Sequence, residues 1–148
     1  MITKLSSSSL ITSSVLASLL KNAQDANVQA AINLLSNVMQ AGGKLSSSTK
    51  PEVVTIATKA KANASALIGL LKKEKEFTVT KDVIDSIVAV KVFSAAEDIK
   101  DEKQRIISEI TQVVNAVKSI APGFIYDVLG GVEKYVREVE KVFPQKNV

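Results

Sequence analysis

Val53, Ala57, Ala60, Ala64, Leu67 and Leu71 follow one another at steps of four, three, four, three and four residues. That spacing puts all six on one face of an α-helix laid along a neighbour, and a strand, with its period of two, cannot use it. Similar stripes recur along most of the chain. They run through Leu10, Ile11, Val15, Leu16, Leu19 and Leu20; through Ala31, Leu34, Leu35, Val38 and Met39; and through Val83, Ile84, Ile87, Val88, Val92, Phe93 and Ala96. Ile106, Ile107, Ile110, Val113, Val114, Val117 and Ile120 continue the series, and Phe124, Ile125, Val128, Leu129, Val132, Tyr135, Val136, Val139, Val142 and Phe143 close it. The pattern predicts an all-α protein, a single-domain bundle of five or six antiparallel helices over residues 1–148, with a flexible N-terminus at 1–8 and a tail at 144–148. A chain of 148 residues can bury one sufficient core without disulfide or metal staples.

Local signals set the expected boundaries. A first helix is predicted at about 9–22, and a second one from Asp25, ended by a left-handed turn at Gly42-Gly43. Thr49-Lys50-Pro51-Glu52 starts the third, because proline fits the first helical turn and an acid there faces the helix dipole. Thr80 and Asp82 start another. From Val92 to Ile120 the steps alternate four and three with only Lys103 out of place, which would allow one helix over about 81–121, about 60 Å long. A compact domain favours a break, and the charged run predicts it near Glu97-Asp98. Ala121-Pro122-Gly123 is a second break. The last segment carries Gly130-Gly131 within its helical stripe, a pair that costs about 1 kcal/mol per glycine and so calls for a close approach or a kink.

The chain has no His, no Cys and no Trp, which removes most nucleophilic, metal-binding and thiol chemistry. No Gly-x-Ser-x-Gly turn or phosphate-binding loop is present, and the expectation is a protein that is not an enzyme and takes no cofactor. Glu97, Asp98, Asp101 and Glu102 sit at metal-site spacings, but Lys100, Lys103 and Arg105 are interleaved with them, so an exposed ion-pair network is expected. Asn63-Ala64-Ser65 matches a glycosylation acceptor and falls within a helix, where a chance match is expected. The formal charge of +4 lies in the sparsely charged N-terminal half, and the chain holds two arginines, Arg105 and Arg137. Nucleic acid is therefore not an expected partner. The long uncharged runs are interrupted by Ser, Asn and Gln, so no membrane span is expected either.

What remains is apolar surface with few aromatics. Alanines at the middle of a helical seam either let a neighbour approach closely or leave apolar room. In the second case Ala57, Ala60, Ala64, Leu67 and Leu71, together with Val88, Phe93, Ile110, Val114, Ile125 and Leu129, would enclose an aliphatic ligand. The partner so implied is an apolar small molecule such as a fatty acid, held at about 0.8 kcal/mol per buried methylene.

The succession Ala66-Leu67-Ile68-Gly69-Leu70-Leu71-Lys72-Lys73-Glu74-Lys75-Glu76-Phe77, then Val83-Ile84-Asp85-Ser86-Ile87 and Lys91 leading to Ser94-Ala95-Ala96, resembles the fungal hydrophobic surface-binding and cell-wall mannoprotein family. Gln29-Ala30-Ala31-Ile32 and the Gly-Gly-Lys-Leu-Ser-Ser linker at 42–47 follow the same rhythm, over about residues 10–140. The chain differs in its short, glycine-free Phe77–Val83 loop and its charged 97–109 segment. The resemblance implies a secreted or cell-surface helical bundle that binds fatty acids or coats hydrophobic surfaces, any signal peptide lying outside this sequence. The alternative expectation is a structural subunit of a virion or filament, cytoplasmic or virion-borne, that self-associates through its heptad faces. An interfacial helix at 123–143 is a third expectation.

Overall fold

The computed structural model describes residues 26–142, which form five α-helices and one 3-10 turn, with no strand among the described residues. The predicted helix at 9–22 and the two terminal segments lie outside the described residues. Helix α1 covers residues 26–45, α2 Pro51–Leu71, α3 Lys81–Ser94, α4 Ile99–Ile120 and α5 Val128–Val142. The all-α bundle read from the apolar spacing is the observed architecture.

α3 is the central element. It packs on α2, α4 and α5, and ten of its fourteen residues are buried, so almost no face of it meets solvent. The heptad seam of α2 is buried as predicted, with Val53, Ala57, Ala60, Ala64, Leu67 and Leu71 forming the whole buried face of that helix. Small side chains at its middle let α3 come close. α4 contributes Ile99, Ile106, Ile110, Val113, Val114, Ala116 and Val117, and α5 contributes Val132 and Val139.

The expected break between α3 and α4 is a 3-10 turn at Ala96–Asp98. Lys103, the residue out of step in the apolar seam, leaves the core and pairs with Glu133 of α5. Lys91 of α3 meets Glu109 of α4 at 2.7 Å, so each of these ion pairs ties two helices together. Within the charged stretch Arg105 pairs with Glu102 at 2.6 Å, in keeping with the ion-pair reading, and no group of three or more potential metal ligands occurs among the described residues.

Two expectations are corrected, one at a glycine pair and one at a helix start. Gly42-Gly43 does not end α1 in a left-handed turn: no described glycine has positive φ, and the helix runs on to residue 45. Its end is made by Ser46, whose N–H and hydroxyl both donate to the Gly42 carbonyl, at 2.9 and 2.8 Å. Gly42 instead provides clearance, since a β-carbon there would stand 2.6 Å from Lys61 Cγ and 3.3 Å from the Ala57 carbonyl oxygen on α2. The left-handed position belongs to Lys73, φ 61°, just past α2. There Lys73 N–H donates to the Leu70 carbonyl and Glu74 N–H to that of Gly69, the paired bonds of a Schellman cap with lysine in the usual glycine position.

The second correction concerns the last segment. Residues 124–127 are not helical and α5 starts at Val128; Gly130-Gly131 is inside this helix as expected, but in its first turn. Asp127 caps this turn: Gly130 N–H donates to its Oδ1 at 3.0 Å and Gly131 N–H to its carbonyl at 3.0 Å.

Candidate functional site

The residues expected to enclose a ligand divide into two groups. Ala57, Ala60, Ala64, Leu67, Leu71, Val88, Phe93, Ile110 and Val114 are all buried. Apart from Ala57, which is buried beside Gly42, they belong to one continuous core cluster. Ile125 and Leu129 do not join them. Ile125 is 85% exposed and Leu129 56%, because the non-helical stretch after Pro122 delays α5 and turns both outward.

Ile120, the last residue of α4 and the last of its predicted stripe, is 41% exposed. These three are the exposed large apolar residues of the described chain, and all fall within ten positions at the α4–α5 corner. Phe124 between them is partly buried against the core and anchors the turn, its N–H donating to the Ala121 carbonyl at 2.9 Å. Ile120 also lines a surface groove of about 300 Å³ with Leu70, rimmed by Lys73, Glu74, Lys75 and Glu76. A groove with Ile120 and Leu70 at its floor and charge at its rim, beside a segment that exposes Ile125 and Leu129, has the composition of an interaction surface.

A second feature lies between α2, α3 and α5. Asp85 and Ser86 are buried polar residues on the central helix. Asp85 Oδ1 accepts the Tyr126 hydroxyl at 2.6 Å. Ser86 donates to the Val83 carbonyl at 2.7 Å and accepts from Asn63 Nδ2 at 2.9 Å, which commits the asparagine of the apparent glycosylation signal to a helix–helix contact. Gly131 makes the tyrosine contact possible, because a β-carbon there would collide with the Tyr126 hydroxyl. Burial, reinforced by the hydrogen bond and charge of Asp85, holds the Tyr126 proton far above the usual phenol range. Burial and the same aspartate also raise Tyr135.

Asp85 and Ser86 line a pocket of about 250 Å³, together with Ile56 and Lys59 of α2 and Lys134 and Tyr135 of α5. The apolar periodicity marks none of this. The available signal is the polar pair Asp85-Ser86 set inside the run from Val83 to Val90, where a helix with no polar face has nowhere exposed to put it.

No protein-family model, curated protein sequence or solved structure matches this chain.

Proposed function

We propose that this chain is a non-enzymatic helical bundle that binds apolar matter, an acyl chain or an extended hydrophobic surface, at the α4–α5 corner. The observation that carries the reading is the outward exposure of Ile120, Ile125 and Leu129 within ten residues of one another. Burying such side chains against an apolar partner is worth about 1.5–3 kcal/mol each, which is enough for adsorption without a specific polar contact. The continuous burial of the Ala57–Leu71 seam favours surface contact over a ligand enclosed between helices. A secreted or cell-surface setting accords with this reading.

The test compares the wild-type chain with the double substitution Ile125→Ser and Leu129→Ser at a hexadecane–water interface and in palmitate titrations. The wild type lowers interfacial tension and takes up palmitate; the double variant keeps its helical circular dichroism and loses both. Equal adsorption by the two proteins would overturn the proposal. The same exposed side chains also favour a second reading, assembly between copies of the chain. Sedimentation over a concentration series separates the two: mass that rises with concentration in the wild type and not in the double variant supports assembly.

A further inference from the structure

Asp85 is 7% exposed and lines the pocket between α2, α3 and α5, and its Oδ2 is not sealed from solvent but open to that pocket. Oδ1 accepts the Tyr126 hydroxyl. For Oδ2 no donor or cation serves as partner among the described residues. We propose that the pocket between α2, α3 and α5 binds a primary ammonium group, with Asp85 Oδ2 as its anchor.

The anchor is held rigidly. Tyr126 fixes one oxygen and is itself seated in the gap that Gly131 leaves, so the carboxylate cannot swing to find a partner elsewhere without breaking a buried hydrogen bond. Ser86 does not compete for the pocket, since its hydroxyl is already engaged with Val83 and Asn63. The pocket, about 250 Å³, greatly exceeds the roughly 30 Å³ share of one water molecule and suits a small organic ligand.

Its lining matches an alkylammonium ion. Asp82 adds a second carboxylate, while Ile56 and Ala89 give an apolar wall for a short alkyl stem. The Tyr135 ring already attracts a cation, with Lys134 Nζ 5.3 Å from its centroid. Lys59 and Lys134, both exposed, also line the pocket; they disfavour a polyamine and offer a partner for a carboxylate on the same ligand. The shared chemistry is thus a primary ammonium head, carried by a simple amine or by an amino acid.

The experiment titrates the full chain with n-butylammonium chloride, norleucine and 1-butanol while amide chemical shifts are recorded. The ammonium compounds give saturable shifts at Thr55, Lys59, Ser86 and Tyr135, and 1-butanol gives none. Saturation by n-butylammonium alone identifies a simple amine as the ligand class, and tighter saturation by norleucine an amino acid. Asp85→Asn keeps an acceptor for Tyr126 and weakens ammonium binding about tenfold or more, the scale of one charge-assisted hydrogen bond. Tyr135→Leu, a change at a half-buried position, weakens it about threefold and carries the test should the first variant fail to fold. Equal shifts with 1-butanol, unchanged affinity in these variants, or no saturable response to either ammonium compound would overturn the proposal.

Discussion

Tyr126 and Asp85, 41 residues apart, share a 2.6 Å hydrogen bond that fastens the segment before α5 to the centre of α3. The acceptor is a buried carboxylate, so the bond is of the stronger, charge-assisted kind, and its loss leaves a charge without its donor. Tyr126→Phe is expected to lower stability by about 2 kcal/mol in urea denaturation, while Asp85→Asn, which keeps an acceptor, costs less than that.

The same bond gives a pH dependence with a definite sign. The folded chain holds the Tyr126 proton well above its ordinary value, and Tyr135 is shifted in the same direction. Below about pH 10 both folded and unfolded chains keep these protons and the contribution is complete. Above it the unfolded chain releases protons that the folded chain retains, so stability falls as pH rises. Thermal melts from pH 8 to 11.5 are expected to show a decline beginning near pH 10 that is shallower in Tyr126→Phe.

Glycines that look equivalent in the sequence have opposite roles. At Gly43 a β-carbon meets nothing within 4 Å, so Gly43→Ala should stabilise α1 by about 0.5–1 kcal/mol. At Gly131 it meets the Tyr126 hydroxyl, and Gly131→Ala should destabilise by more than that gain. Differential scanning calorimetry of the two variants, taken side by side, checks both signs.

Lys73 occupies a left-handed conformation that costs a residue with a β-carbon about 1 kcal/mol. Lys73→Gly removes the cost while keeping the backbone bonds of the cap, and should raise the urea midpoint with no change in the slope of the transition.

The α2 seam was legible because every one of its steps reports burial, and Ala60 and Ala64 are buried as fully as Val53 and Leu67. Periodicity could not say whether those alanines faced a void or a neighbour, since both use the same residue. Close packing predicts that Ala60→Leu costs about 1–3 kcal/mol through overpacking, whereas spare volume would make it neutral or stabilising; a denaturation curve decides between them. The break at Ala96–Asp98 was likewise readable, from a charged run that no core could take in.

Ile125 and Leu129 were misplaced for a physical reason. Their spacing continues a helical stripe, but Pro122 and the Asp127 cap hold the chain out of helix until Val128, so the register that would have turned them inward is lost. The pocket around Asp85 escaped the apolar reading because its parts come from three helices and its key contact depends on the absence of a side chain at Gly131.

The central claim, that apolar matter is met at the α4–α5 corner and not between the helices, is tested most directly by adding doxyl-labelled stearate to the isotope-labelled chain and mapping which amide signals broaden. The account predicts the strongest broadening at Ile120, Ile125 and Leu129, with the α2 seam spared. Broadening centred on Ala60, Ala64 and Val88, or none at all, would contradict it.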